Sequence, residues 1–176
     1  GYGGDENGLD WGTQVSLFDV GDFAHPSLDA ALSLNPDVEG DGWTYAWSEA
    51  TWEHKAFQYW GPMNMLAIPL STYRSNYDEN GYWGYEYKSQ LALIQINGNA
   101  HTGDPALQRY DAGQIDHSDF FNRDSDYYWD WRDVRRSIFM GDYIYAISDR
   151  GVTMHRLADL QLTASVELEG NRYDPY

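Results

Sequence analysis

Short apolar runs separated by turn-rich segments are the dominant pattern along this chain. Val15 and Leu17 alternate with polar residues, and similar runs recur at 65–70, 90–96, 137–140, 143–147 and 152–157. Glycine, aspartate and asparagine bound these runs, and the sequence contains no long apolar face with a period of 3.6 residues. A period of two residues combined with frequent turn residues is typical of β-strands. The pattern therefore predicts an all-β protein.

The apolar runs also form a weak internal repeat. The segments QVSLFDV, QLALIQI and GVTMHRL each follow a turn-rich stretch, and a polar connection and a second apolar run come after each of them. Two of these units are preceded by a further pair of runs, which start at His54 and Arg135. Each full unit thus predicts four antiparallel strands joined by short turns, which is the blade of a β-propeller. A β-sandwich with irregular strands is the alternative.

The repeat predicts a β-propeller fragment of about two and a half four-stranded antiparallel blades. We assign half a blade to 8–34, a blade with an inserted loop at 75–87 to 52–113, a blade to 134–168 and a tail to 169–176. All of these segments would belong to one propeller domain. Because propellers have at least four blades and open sheet edges are avoided, the remaining blades are expected from upstream sequence or another chain.

Composition narrows the possible partners and chemistry. The formal net charge is −17, with 28 acidic and 11 basic residues, which disfavours binding to nucleic acid or to an anionic membrane surface. Cysteine is absent, which excludes disulfides, thiolate metal sites and cysteine nucleophiles within the chain. The longest apolar run is too short to cross a bilayer, so no membrane insertion is expected. The start at Gly1 suggests a processed or trimmed product, whose targeting segment would lie outside this sequence.

An acidic loop is the best candidate for a metal site. Asp37, Glu39 and Asp41 alternate along the chain and are followed by Gly42, as in the first half of a calcium-binding loop. The closing glutamate of such a loop would fall at position 48, which is a serine, and Glu49 comes one place later. The sequence predicts calcium bound by Asp37, Glu39 and Asp41, and the alternative is an acidic turn without metal.

Two acid–imidazole pairs are candidates for a site in the central channel of the propeller. Glu53–His54 and Asp116–His117 both lie near the start of predicted inner strands, which line that channel. Neutral imidazoles with carboxylates suit copper, zinc or general acid–base catalysis. We add Arg135 to this possible channel site because it opens the last blade. The alternative is that these residues form hydrogen bonds that join neighbouring blades.

Aromatic residues are the other abundant feature, with 8 Trp, 15 Tyr and 6 Phe. Two clusters in predicted loops could stack on sugar rings or form a protein interface. The candidate contact residues for a glycan or a protein are Tyr82, Trp83, Tyr85, Tyr128, Trp129 and Trp131. The alternative is that the aromatic residues pack between the blades.

Several segments resemble a known family. VSLFDVGDFAHP, SEATWEHKAFQYW, MLAIPLS and RRSIFMGDYIYAISDRGVTMH are similar to the C-terminal part of a bacterial and archaeal family of secreted proteins with a C-terminal β-propeller domain. The resemblance extends over about 8–168, and its most specific parts are SEA-x-x-x-HKAF and RRS-x-x-x-GDY-x-Y. It implies a propeller fold and a secreted or cell-surface location. It implies no particular activity.

Two functions from different classes fit these observations. The first is a non-catalytic extracellular binding or assembly module, supported by calcium, that presents loops to a protein or a glycan. The second is a metal-dependent or glycan-active enzyme that uses the central channel. The sequence contains no G-x-S-x-G, H-E-x-x-H, P-loop or dinucleotide-binding motif, and propellers serve both functions.

Overall fold

The described residues form three antiparallel β-sheets. The computed structural model describes residues 2–3, 12–36, 43–77, 81, 83–98, 105–118 and 133–168. Strands dominate these residues, together with short 3₁₀ helices, so the predicted all-β class is confirmed. Among the described helices, none has the length and apolar character needed to span a bilayer. The strands are β1 (Tyr2–Gly3), β2 (Gly12–Asp19), β3 (Ser27–Ser33), β4 (Trp43–Trp47), β5 (Gln58–Trp60), β6 (Met65–Tyr77), β7 (Trp83–Ile96), β8 (Leu107–Arg109), β9 (Ile115–Asp116), β10 (Val134–Met140), β11 (Tyr143–Ser148), β12 (Gly151–Arg156) and β13 (Leu162–Glu167).

The strand order follows the chain in each sheet. The first sheet has the order β1-β2-β3, and the last sheet has the order β10-β11-β12-β13. The middle sheet is built around the long hairpin of β6 and β7, whose strands pair from Met65 and Gln95 out to Tyr77 and Trp83. Its two outer positions are each shared by two short strands: β4 and β5 both pair with β6, while β8 and β9 both pair with β7. The middle sheet is therefore four strands wide with both edge strands interrupted.

Pro69 explains why the edge strand beside β6 is interrupted. β5 pairs with β6 up to Ala67, and β4 pairs with β6 from Ser71 onward. Pro69 lies between these two stretches, where its missing N–H costs no ladder hydrogen bond. Its carbonyl accepts a hydrogen bond from the Ser48 hydroxyl at 2.5 Å. The chain between β4 and β5 forms two 3₁₀ helices, Glu49–Thr51 and His54–Ala56, and a third, Gly61–Met63, follows β5.

The middle sheet is covered on both faces, which explains the continuous apolar run at 65–70. Met65 and Ala67 point towards the last sheet and pack in one core with Leu93, Ile144 and other residues of β7 and β11. Leu66, Ile68 and Leu70 point the other way and pack in a second core against the first sheet. Alternate residues of β6 thus belong to two different hydrophobic cores, so this part of the strand has no polar face. Each of these buried Leu or Ile side chains contributes about 1.5–3 kcal/mol of burial free energy.

The far face of the last sheet is apolar and exposed. Successive strands place apolar side chains in register across it, as in the rows of Ile138 with Tyr145 and Val152 with Val166. Several of these side chains remain accessible to solvent: Ile138, Met140, Tyr143 and Val166. Contiguous apolar surface of this kind is typical of an interface. The sheet thus presents the kind of face that a neighbouring propeller blade would cover.

Two details of the predicted organisation are corrected. The predicted inserted loop at 75–87 is mostly strand, because β6 extends to Tyr77 and β7 begins at Trp83. The middle unit also begins earlier and ends later than 52–113, because β4 starts at Trp43 and β9 ends at Asp116. The tail at 169–176 lies outside the described residues.

Candidate functional site

An aromatic face projects from the outer half of the β6–β7 hairpin. Trp43, Tyr45 and Trp47 occupy alternate positions of β4, so their side chains lie on one side of the sheet. Tyr45 is paired in register with Tyr73 of β6, and Tyr73 is paired with Tyr87 of β7. We call these five residues the aromatic face. It belongs to the side of the middle sheet that further along packs against the last sheet.

The rings of the aromatic face stack on one another. The ring centroids of Trp43 and Tyr73 are 6.4 Å apart with an interplanar angle of 8°. Trp47 lies 6.5 Å from Tyr73 and 5.9 Å from Tyr87, and Tyr45 stacks on Trp47 at 5.6 Å. Such offset pairs stabilise each other by about 0.5–1.5 kcal/mol beyond burial. The rings are thus held in place, yet Trp43 is 49% and Tyr45 is 38% exposed.

A buried carboxylate, that of Asp133, lies next to the Tyr87 hydroxyl at one end of the aromatic face. Asp133 is 8% exposed, and its Oδ1 accepts hydrogen bonds from the Ser71 hydroxyl at 2.6 Å and from the Tyr87 hydroxyl. Burial, followed by the hydrogen bond to Asp133, raises the pKa of Tyr87, so its hydroxyl stays protonated and donates. Next to it, the Ser89 hydroxyl accepts from the backbone N–H of Val134 at 2.8 Å. These contacts fix the start of β10 against the middle sheet.

The aromatic contact residues predicted from the sequence lie next to this face or outside the described residues. Trp83 and Tyr85 belong to β7, and the backbone of Tyr85 pairs with Ser75, but their side chains are outside the described part. Tyr82, Tyr128, Trp129 and Trp131 also lie outside the described residues. The aromatic face itself was missed. The spacing of Trp43, Tyr45 and Trp47 at every second position could have revealed it, but no strand was predicted between residues 34 and 52.

The structure does not join the predicted channel residues into one site. His54 lies in a 3₁₀ helix rather than at the start of a strand, and its side chain is 89% exposed beside Glu53. Asp116 accepts hydrogen bonds from the backbone N–H and the hydroxyl of Ser118. His117 is buried and bonds to Thr153 of the last sheet. The prediction that His54 opens an inner strand is therefore wrong, and the two histidines share no partner among the described contacts.

Arg135 and Glu53 instead take part in an ion-pair network between the middle and last sheets. Glu49 is at its centre, with its carboxylate 3.2 Å from Arg135 Nε and 3.1 Å from an Arg136 guanidinium nitrogen. Arg136 also reaches Glu53 at 3.5 Å. The Glu53 carboxylate accepts the backbone N–H of Lys55, and this hydrogen bond lowers its pKa. The geometry is that of residues that join neighbouring blades, which was the alternative interpretation.

The His117 contact defines a second connection between the same sheets. Thr153 Oγ1 lies 2.6 Å from His117 Nε2 and 2.9 Å from His155 Nε2, and His155 Nδ1 lies 2.9 Å from the Leu160 carbonyl oxygen. Because a carbonyl only accepts, His155 Nδ1 carries the proton and its Nε2 accepts from Thr153. Thr153 then accepts from the Nε2–H of His117. Burial lowers the pKa of both imidazoles, that of His117 to about 4, so both are neutral at pH 7.

The predicted metal sites are not supported by the part of the chain that the structure describes. Asp37, Glu39 and Asp41 lie outside it, so calcium at this loop stays a prediction. Within the described ranges, no three His, Asp or Glu side chains come together as a possible metal site. Glu53, His54, Asp116 and His117 are all described, and they offer no common set of ligands for copper or zinc.

Comparison with known proteins identifies the family. The β-propeller domain family matches the chain over residues 1–160. The chain belongs to the β-propeller domain family. No curated protein and no solved structure matches it. The three sheets formed by the described residues are consistent with a fragment of a propeller, since a closed propeller has at least four blades.

Proposed function

We propose that this propeller region is a non-catalytic carbohydrate-binding module of a secreted protein, and that the aromatic face is its binding surface. The main observation that supports this proposal is a row of stacked aromatic rings that ends at an exposed tryptophan. Trp43 is stacked against Tyr73 on one side and is about half exposed, which leaves ring surface for a sugar. Rigid aromatic surfaces bind apolar ring faces at a low cost in side-chain entropy. The resemblance to secreted propeller proteins supports an extracellular location.

The surroundings of Asp133 favour binding over catalysis. A glycosidase acid must exchange its proton with the glycosidic oxygen, and a nucleophile must approach the anomeric carbon. Asp133 is buried, and its Oδ1 is engaged by Ser71 and Tyr87. A carboxylate held in this way orients the Tyr87 ring and the start of β10. Its role in the proposal is to keep the aromatic face rigid.

Assembly with further blades is part of the same proposal. The exposed apolar face of the last sheet, which includes Ile138, Met140 and Val166, would be covered by the next blade. That blade would come from another part of the protein or from another chain. Calcium at Asp37, Glu39 and Asp41 would stabilise the segment that joins the first sheet to the middle sheet.

A fluorescence titration tests the carbohydrate proposal directly. Neutral oligosaccharides of several linkages would be titrated while tryptophan emission is followed. Trp43→Ala should weaken binding about three- to tenfold, the loss expected for one aromatic stacking contact. Trp52→Ala is the matched control, because Trp52 is 65% exposed but lies beside the first 3₁₀ helix and outside the aromatic face. Equal effects of the two substitutions, or no saturable binding of any oligosaccharide, would refute the proposal.

A further inference from the structure

Two groups of polar contacts join the middle sheet to the last sheet, and they differ in their response to pH. The first group lies along β10. Glu49 forms ion pairs with Arg135 and Arg136 there. Asp133, just before β10, accepts a hydrogen bond from the Ser71 hydroxyl. Carboxylic acids ordinarily titrate near pH 4 and arginine stays charged, so contacts of this kind persist between pH 7 and pH 5.

The second group lies between the end of β9 and β12, and it depends on imidazoles. Thr153 Oγ1 is 2.6 Å from His117 Nε2 and 2.9 Å from His155 Nε2, and all three side chains are buried. One hydroxyl thus links two rings, and an exposed imidazole gains a proton in mild acid. A neutral hydrogen bond of 2.9 Å, from the Tyr110 hydroxyl to the Leu157 carbonyl oxygen, accompanies this link. Water can replace that bond when the sheets separate.

The surroundings of His117 keep its ring neutral while the sheets are closed. Burial is the main cause that lowers the pKa of His117, to about 4, and His155 on β12 lowers it further. Asp116 on β9 acts in the opposite direction without outweighing burial. The neighbouring residues of β7, Ser89 and Gln90, are uncharged. Burial also lowers the pKa of His155, so both rings bind a proton more readily once they reach water.

We propose that the interface between the middle and last sheets is an acid-sensitive hinge, which below about pH 6 opens between β9 and β12 and stays joined along β10. Opening exposes the part of the shared core that contains Ile115 and Leu157. The stacked rings of Trp60 and Phe139, 5.7 Å apart beside β10, remain in contact. The hinge does not depend on the carbohydrate proposal, because it involves none of the residues of the aromatic face.

Thiol labelling of single-cysteine variants tests the hinge, because the chain has no cysteine of its own. Ile115→Cys, close to His117, and Ser137→Cys, on β10, both place the thiol at a position that is 2% exposed. Labelling by a dithiodipyridine then requires local opening, and its rate is compared with that of the exposed Lys55→Cys at the same pH.

The two buried thiols should respond differently to acid. Between pH 7 and pH 5 the relative rate should rise about twentyfold for Ile115→Cys. This is the change expected when a group whose pKa is about 4 in the closed form regains its ordinary value on opening. For Ser137→Cys the rate should rise less than about twofold, because the contacts along β10 keep their charges.

Histidine variants in the Ile115→Cys background identify the responsible group. His117→Gln keeps an N–H donor for Thr153 but does not titrate, so it should remove most of the rise. His25→Gln is the matched control, because His25 is 83% exposed and pairs only with its own turn, and it should leave the rise intact. Thr153→Ser keeps the shared hydroxyl and should retain the rise. Circular dichroism at pH 7 checks that each variant is folded.

Three results would overturn the hinge. The first is an unchanged relative rate for Ile115→Cys, a result that needs no histidine variant and therefore holds even where His117→Gln does not fold. The second is an equal rise for Ile115→Cys and Ser137→Cys, which would mean that acid separates the whole interface or unfolds the protein. The third is a full rise in folded His117→Gln, which would assign the response to other groups.

Discussion

His117 and Thr153 join two sheets of the propeller through a hydrogen bond of 2.6 Å between Nε2 and Oγ1. His117 follows β9 in the middle sheet, and Thr153 lies in β12 of the last sheet. Both side chains are almost fully buried, with 2% and 0% exposure. The bond therefore connects neighbouring blades where water cannot replace it, and burial disfavours a charged imidazole at this position.

The His117 contact predicts a loss of stability in acid. Burial lowers the pKa of His117 from 6.5 to about 4, so the unfolded state binds more protons between these values. The free energy of unfolding should then fall as the pH decreases from 7 towards 4, by at most about 3 kcal/mol from this residue. His117→Gln should reduce this pH dependence, measured by urea denaturation at pH 7 and pH 5.

The matched control for this measurement is His25→Gln. The side chain of His25 is 83% exposed and pairs with Asp22 on the surface. This substitution removes an exposed imidazole without disturbing a connection between blades. If both variants show the same slope of unfolding free energy against pH, then His117 is not the group responsible.

The ion-pair network around Glu49 also connects these two sheets, and its contribution to stability can be measured. Its carboxylate is 14% exposed and bonds to both Arg135 and Arg136 of β10. Glu49→Gln should reduce the free energy of unfolding by about 1–2 kcal/mol, because two guanidinium groups lose a charged acceptor. Asp22→Asn breaks an exposed pair with His25 and should change stability by less than about 0.5 kcal/mol. Equal effects in urea denaturation would show that the Glu49 network contributes no more than a surface pair.

The sequence predicts the sheets better than it predicts the site, and the difference has a physical cause. Strand positions follow from alternation and turn residues, which are local, and the run at 65–70 reflects burial on both faces of one strand. The partners of His117 depend on which strand of another blade faces it, and no local pattern encodes Thr153. The part of the long hairpin at 75–87 was interpreted as a loop because its alternate residues are aromatic and polar or charged rather than aliphatic.

Calcium removal tests the acidic loop at 37–42. If Asp37, Glu39 and Asp41 share a calcium ion, then chelation should lower the melting temperature of the intact protein, because a ligand that binds the folded state stabilises it. Asp41→Ala should make the melting temperature insensitive to calcium and to the chelator. Asp111→Ala, at an exposed position after β8, is the control. An unchanged melt after chelation would identify the loop as an acidic turn.

Tyr87→Phe tests how much the hydrogen bond from the Tyr87 hydroxyl to Asp133 stabilises the aromatic face. The substitution keeps the ring that stacks 5.9 Å from Trp47 and removes only the hydroxyl that donates to Asp133. Asp133 is buried and would keep the Ser71 hydroxyl at 2.6 Å as a donor to its Oδ1, so the loss should be about 1–3 kcal/mol of unfolding free energy. Since the pKa of Tyr87 is raised above 10, the effect should persist throughout neutral pH and shrink only as the pH rises above that value.

Tyr59→Phe provides the control for this last measurement. Tyr59 also donates its hydroxyl to a side chain, Asn64 Oδ1 at 2.9 Å, but its ring is 52% exposed, so water can replace the bond. Its loss should cost less than about 0.5 kcal/mol in urea denaturation. In Asp133→Asn the acceptor is no longer charged, so adding Tyr87→Phe to that background should cost less than it does alone. Strict additivity of the two substitutions would mean that the Tyr87 hydroxyl does not act through Asp133.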